Sequence, residues 1–414
     1  MKKKFSLTIK GLFGQFNYEI VLDEQYKFLT GLNGSGKTTI LKILQALSER
    51  DLGFFRYLNF QYIIYEDEED YINIEKTKDK ILLNSKNQTI IWSIEFSKLD
   101  KIEKEQFEEL YFTYNYLDND YIDTLEEKKI TLGDIYIKGG INWLDFIKKI
   151  NYNIYIIKEQ RLLKIEASNH NAEESILIYS NQLKFLLSAI LANNAKITNS
   201  LDRSFPQRLL ESTRQGKKIS KQEFDKRLKK IQLIQEKFVQ YFNQGQISNT
   251  MAEFNEEAAA TLYVYMDDME KKLEGYRDII EKLDLFVSTI KSKHFTNKII
   301  SIDSENGITF KTTDESNTII KLSDLSSGEK QEVILLYNLL FNMPEGSVLL
   351  IDEPETSLHV AWAKEFMDDI EKILKLKKSQ ALIATHSPFI IGERWAQTID
   401  LTAMSASPRS KAWS

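Results

Sequence analysis

Hydrophobic and polar positions alternate from the start of the chain: Phe5, Leu7 and Ile9 flank Ser6 and Thr8, the period-two pattern of a half-buried strand. A short apolar run at residues 26–30 precedes a glycine-rich stretch. Beyond it, Ile40, Leu41, Ile43, Leu44 and Leu47 predict a helix over residues 38–48 with one core face. Alternation returns at residues 60–65, 71–76 and 89–95, with mixed helix and loop following to about residue 149. A further apolar strand at residues 152–157 leads into Glu159, Gln160 and Arg161.

Between residues 220 and 290 the period changes. Leu262, Met266, Met269, Leu273, Tyr276, Ile280, Leu283, Val287 and Ile290 step by three and four, a heptad seam. Phe224, Leu228, Ile231, Phe238 and Phe242 continue that phase in an earlier arm, with Gln235 interrupting it. Polar turn residues at 243–250 separate the arms, so the pattern predicts a short antiparallel helical hairpin, an intramolecular coiled coil. Strands return after about residue 294, with buried-strand runs at 347–351 and 381–383.

Composition narrows the class. A chain of 414 residues, 42% hydrophobic and 28% charged, holds one large globular domain and an accessory lobe, and is not disordered. The net charge of −6 excludes a surface that is wholly a trap for nucleic acid, though not a local basic patch. The lack of cysteine excludes a disulfide framework, thiolate zinc sites and iron–sulfur clusters. Lys2, Lys3 and Lys4 are followed by alternation, not by the continuous apolar run of a secretory signal. The longest apolar run, residues 185–192, falls short of the roughly 20 residues that cross a bilayer. A cytoplasmic protein with no membrane partner is expected. Prolines at 206, 344, 354, 388 and 408 leave residues 207–343 with no proline to interrupt helices.

Candidate chemistry is concentrated near the two ends. Gly31-Leu32-Asn33-Gly34-Ser35-Gly36-Lys37-Thr38, followed by Thr39, lies between a strand and a helix, the context a phosphate-binding loop requires. Glycines there let backbone N–H groups turn inward around phosphates, Lys37 reaches the β- and γ-phosphates, and Thr38 holds magnesium. The strand at 347–351 ends in Asp352-Glu353-Pro354-Glu355. In this Walker B arrangement Asp352 serves the magnesium shell and Glu353 is placed as general base to the attacking water. An acidic run is more often a solvated turn, but an apolar strand ending in Asp-Glu-Pro downstream of a phosphate loop is specific. ATP and Mg2+ are the implied cofactors.

Leu325-Ser326-Ser327-Gly328-Glu329-Lys330-Gln331 resembles the signature motif of ABC ATPases, and Ala384-Thr385-His386-Ser387-Pro388 resembles their switch histidine loop. The resemblance implies that Ser326 or Ser327, with Gly328, contacts the γ-phosphate held by a second subunit, and that His386 senses that phosphate. It makes Gln160 the candidate for the glutamine that touches magnesium and water, with Arg161 as an alternative partner of the phosphates. On the segment alone, Ser-Ser-Gly before Glu329 also reads as an ordinary helix cap. The implied fold is an α/β P-loop head of the ABC type, with its core in residues 1–60 and 295–400. Residues 61–160 form a β-rich accessory region, residues 161–294 a helical lobe with the inserted hairpin at about 220–292, and residues 401–414 a tail without a pattern.

The string Asp352-Glu353-Pro354-Glu355-Thr356-Ser357-Leu358-His359, with Trp362 and then Thr385-His386-Ser387-Pro388, departs from transporter motors. It is similar to soluble bacterial ATPases of the overcoming-lysogenisation-defect (OLD) family and the PtuA subunit of Septu-type antiphage systems. The inserted hairpin resembles a shortened coiled coil of SMC-type ATPases. Twenty-eight residues follow His386, too few for the nuclease domain that OLD proteins append. A homodimer or higher oligomer with a separately encoded effector, a nuclease, is therefore expected. The alternative is an SMC-like clamp on nucleic acid, supported by Lys217, Lys218, Lys221, Lys226, Arg227, Lys229 and Lys230 against Glu223 and Asp225. A solvated helix face explains those lysines equally well. Tyr18 or Phe16 could lie against adenine, although packing is the stronger reading of each.

Overall fold

The computed structural model describes residues 4–49, 52–68, 71–78, 81–85, 154–157, 172–243, 253–293, 295–356 and 360–406. It forms two compact units, one of Met1–Lys158, Pro344–Pro354 and Lys377–Ser414, the other of Glu159–Met343 and Glu355–Leu376.

The first unit holds two sheets. Strands β1 (Phe5–Leu12), β2 (Phe16–Leu22), β4 (Tyr62–Asp67), β5 (Tyr71–Lys76) and β6 (Ile81–Ser85) form an antiparallel sheet in the order β2-β1-β4-β5-β6. Its alternating residues bury one face, as Phe5, Leu7 and Ile9 do. The second sheet, ordered β13-β3-β12-β11-β7, is parallel and contains β3 (Tyr26–Thr30), β7 (Ile154–Ile157), β11 (Val348–Asp352), β12 (Gln380–Ala384) and β13 (Thr398–Asp400). All five residues of β12 are buried, which a central strand covered on both faces demands. Helix α1 (Lys37–Glu49) contributes Ile40, Leu41, Ile43 and Leu44 to a core shared with Leu7 and Ile20 of the first sheet and Leu29, Leu350 and Leu382 of the second. Phe55 of the short helix α2 (Leu52–Tyr57) joins the same core.

The second unit is built on three long helices, α3 (Ala172–Arg214), α4 (Lys221–Phe242) and α5 (Ala259–Ser292). They are followed by an antiparallel sheet of β8 (Lys298–Asp303), β9 (Gly307–Thr312) and β10 (Ile319–Ile320). Helix α6 (Ser327–Tyr337) runs on into a π-helical turn, Asn338–Asn342, and α7 (Val360–Leu376) completes the unit.

The expected antiparallel hairpin between the two heptad arms is not what forms. Ile219 N–H donates to Ala259 O at 3.2 Å, Arg227 pairs with Glu270, and Lys237 pairs with Asp284. Partner numbers rise together, so α4 and α5 run parallel. The antiparallel partner of α5 is α3: Arg208 pairs with Asp268, Lys272 with Asp202, and Gly275 closes on Asn194. A heptad seam fixes which face is buried and leaves direction open.

Helix α3 also departs from expectation. It runs through Pro206, and the Arg208 guanidinium donates to Leu201 O at 2.7 Å in the turn before it. Between Ser175 and Arg214 it is long and apolar enough to cross a membrane by length and composition. Single polar residues interrupt the stretch, so no unbroken apolar run marks it in the sequence. The structure seats α3 on α5 and β9, where Ser180 Oγ accepts from Ile308 N at 2.9 Å.

The two units divide the chain at limits different from those expected. Residues 295–343 and 355–376 belong with the helical lobe rather than with the phosphate loop, because β8 and β9 pack on the helices, as in the 2.9 Å bond from Ser304 Oγ to Phe242 O. Leu401, placed in a patternless tail, is fully buried in the first unit's core; residues 407–414 lie outside the described residues.

Candidate functional site

Strands β3, β12 and β11 are parallel neighbours, so the segments leaving their C-terminal ends gather at one edge of the sheet. The loop after β3 is shaped by glycines: Gly31 has φ 146°, Gly34 φ 80° and Gly36 φ 91°, values that side chains with a Cβ avoid. A Cβ on Gly36 would also stand 3.2 Å from the Leu12 side chain. Ser35 N–H donates to Leu32 O at 3.1 Å, and Ile40 N–H, in the first turn of α1, donates to Gly36 O at 2.8 Å. Tyr18, 1% exposed, donates its hydroxyl hydrogen to Ser35 O at 2.6 Å. Burial pushes the Tyr18 phenol up to about 12, so this donor keeps its proton.

The charged side chains converge on the loop. The buried Lys37 ammonium donates to Gly31 O at 3.2 Å and meets His386 Nε2. Thr38 Oγ1 donates to Asp352 Oδ1 at 3.2 Å. His386 Nε2 lies 3.9 Å from Glu353 Oε1. Glu353 has φ 43°, the left-handed region, which costs a non-glycine residue on the order of 1 kcal/mol. Its N–H is held by Ala384 O at 2.9 Å, which turns the carboxylate off the end of β11. Ammonium, hydroxyl, two carboxylates and imidazole thus form one connected cluster. Asn33 and Gly34 are exposed at the loop's crest, and Ser35 Oγ is buried with no hydrogen-bond partner among the described residues.

The Ser326-Ser327-Gly328 turn opens α6 in the second unit. Ser326 is the N-cap: its Oγ accepts from Glu329 N at 3.3 Å, and Glu329 Oε2 accepts from Ser326 N at 2.8 Å, a reciprocal capping box. The cap reading of this segment is therefore correct for Ser326. Ser327 is exposed, and Gly328 faces the Trp362 ring, 3.6 Å from where a Cβ would be. Burial alone would push the Glu329 carboxyl upward. Lys298, at 2.7 and 2.9 Å, and the Ser326 groups outweigh it and hold the carboxyl below its ordinary value.

A family model described as an AAA ATPase domain matches residues 5–391. The chain belongs to that family. Among solved structures, this AAA ATPase domain is similar to an Smc head domain with an extended coiled coil bound to the C-terminal domain of ScpA, derived from Pyrococcus furiosus. Identity is 15% over 95% of this chain and 92% of that one, with a TM-score of 0.36. An Smc head bound to the C-terminal winged-helix domain of ScpA gives 13% identity over 97% and 94%, with a TM-score of 0.39. Superposition at these scores is too loose to carry a functional argument. No curated protein sequence matches the chain.

Within the AAA ATPase domain, Lys37, Thr38, Asp352, Glu353 and His386 are brought together, whereas Gln160 and its alternative Arg161 lie outside the described residues. Tyr18 is removed as a candidate for stacking on adenine, since its ring is sealed in the core against Phe16. Two supports of the site escaped the sequence reading. The Tyr18 hydroxyl grips the loop, which its place on an alternating strand concealed. The segment around Thr402 touches the loop from the far end of the chain, Thr402 Oγ1 accepting from Leu32 N at 3.2 Å, with no motif to announce it.

Proposed function

We propose that this AAA ATPase domain binds and hydrolyses Mg2+-bound ATP at the cluster around Lys37, in the manner of ABC-type heads. The observation that carries the reading is the meeting of Lys37, Thr38, Asp352, Glu353 and His386 at one sheet edge beside a loop of positive-φ glycines. The residues fit the ligands: an ammonium and inward N–H groups suit phosphates, a hydroxyl beside a carboxylate suits magnesium, and the partnerless Ser35 Oγ is available to a phosphate oxygen. The backbone of residues 33–36 with Lys37, Thr38 and Thr39 would hold the phosphates, and Thr38, Asp352 and Gln160 would hold Mg2+. Bound magnesium supplies charge neutralisation at the phosphates. Glu353 takes a proton from the attacking water, and His386 orients toward the terminal phosphate, giving up its contact with Lys37.

With Ser326 committed to the helix cap, the exposed Ser327 hydroxyl and Gly328 N–H are the groups offered to the nucleotide of a second copy, closing a head-to-tail dimer. The dimer gates a separately encoded effector, a nuclease, in defence against phage. That finer reading rests on the OLD- and PtuA-like string at residues 352–359. Mass photometry of the Glu353→Gln protein, with and without ATP and with the neighbouring gene's product, tests both levels. ATP-dependent dimers that recruit the neighbour support gating; monomers at saturating ATP refute the dimer.

A DNA clamp is the second reading, favoured by Lys226, Lys229 and Lys230, which stand exposed on α4. Arg227 is committed to Glu270, and the start of α5 brings Glu256 and Glu257 to the same end of the lobe as Lys217 and Lys218. Salt-dependent duplex binding lost on reversing the three α4 lysines would favour the clamp.

A further inference from the structure

The parallel sheet ends in β13, paired to β3 through Thr398 and Phe28, Ile399 and Leu29, and Asp400 and Thr30. The chain then turns directly into the short helix α8 (Leu401–Ala406), whose first residues lie on the phosphate loop. Thr30 Oγ1 donates to Ile399 O at 3.3 Å. Thr402 Oγ1 accepts from Leu32 N at 3.2 Å. The position a Cβ would take on Gly31 stands 3.3 Å from both Leu401 Cβ and Thr402 Oγ1. The end of β3, the glycine hinge and the first N–H beyond it are thus all held by residues 399–402.

Thr402 is itself fixed. Asp400 Oδ1 accepts from Thr402 N at 2.8 Å and from Ala403 N at 3.3 Å, and Leu401 anchors the turn with no exposed surface. A loop that cradles phosphate must bring several N–H groups to one point. Any part of that ordering already done by the protein is not charged against binding.

We propose that Thr402 is a positioning residue for the phosphate loop, and that β13 with α8 is a brace that sets the loop's affinity for a nucleoside triphosphate. The hydrogen bond from Leu32 N–H is accepted by a hydroxyl, so serine replaces threonine there and valine does not. This rests on the nucleotide-binding reading above. A contact made to the loop backbone before the ligand arrives changes binding and leaves the chemical step alone.

The test compares wild type, Thr402→Val, Thr402→Ser and Lys37→Ala by titration with a fluorescent ATP analogue, by steady-state ATPase kinetics and by amide hydrogen exchange over residues 30–37. Thr402→Val should raise Kd and KM about fivefold to tenfold, the loss of one hydrogen bond, with kcat within about twofold. Exchange at the loop should quicken, and Thr402→Ser should match wild type in every readout. Wild-type affinity and exchange in Thr402→Val overturn the proposal, as does an equal loss in the serine variant. If wild type binds no more analogue than Lys37→Ala, the nucleotide reading fails. In that event faster loop exchange in the valine variant still supports the brace, and unchanged exchange removes it as well.

Discussion

Lys293, the C-cap of α5, buries its ammonium with 1% of the side chain exposed. Asp369 Oδ2 lies 2.6 Å away, Glu365 Oε2 3.6 Å and Glu332 Oε1 3.8 Å. Its own carbonyl accepts from Trp362 Nε1 at 3.2 Å, so one residue ties the longest seam of the lobe to α6 and α7. Replacing Lys293 with Met keeps most of the volume and leaves the Glu332 and Asp369 carboxylates, 4% and 8% exposed, without their cation. Breaking a buried pair from one side costs about 3–5 kcal/mol. Lys372, 3.4 Å from Asp369 Oδ1, still compensates part of one charge, which puts the expected cost near the lower end, about 3 kcal/mol. For a unit of this size that lowers the melting temperature by about 6–12 °C, read from the helical circular dichroism signal. Adding Glu332→Met and Asp369→Leu removes the stranded charges and should restore most of the loss. A single variant melting within about 2 °C of wild type would refute the reasoning, and so would a triple variant no more stable than the single.

Glu353→Gln should abolish steady-state ATP hydrolysis while retaining nucleotide binding; turnover at the wild-type rate removes the general-base assignment. Gly36→Ala forces a Cβ onto a backbone at φ 91° and into the Leu12 side chain, and should cost about 1–3 kcal/mol with a parallel loss of nucleotide affinity, measured by urea unfolding and titration. The Glu329 carboxyl is held below its ordinary value by Lys298 and Ser326 against the opposing effect of burial. Its contribution to stability is therefore present above the unfolded carboxylate value and is lost as pH falls through the lower folded value. Glu329→Gln should flatten that acid limb of the stability profile, read from urea unfolding across pH; an acid limb unchanged from wild type removes the assignment.

The fold class was legible because burial in sheets leaves a short period. Phe5, Leu7 and Ile9 mark a one-sided strand, and the unbroken apolar runs of β11 and β12 mark strands covered on both faces. The helix after the loop showed its core face residue by residue. Direction was not legible: the heptads of α4 and α5 specify contact and say nothing of polarity. Helix α3 hid because its apolar residues surround it, Leu177 and Ile178 exposed beside the buried Ile176, and because Pro206 reads as a break. The clustered side chains were named from their order along the chain and their positions at strand ends. Tyr18 and Thr402, which touch the loop, act through its backbone groups, and Lys293 within the helical unit acts through buried pairing; neither leaves a local pattern.

Because α4 and α5 run the same way, the end of α4 and the start of α5 lie at opposite ends of the pair, and the tight turn at 215–220 joins α3 to α4 instead. Residues 220–292 are therefore not a detachable hairpin. Excised as a peptide they would lose α3, the helix that runs against α5. Extending the lobe takes matched insertions in α3, α4 and α5, so its reach is a property of three stretches of sequence that can only change together.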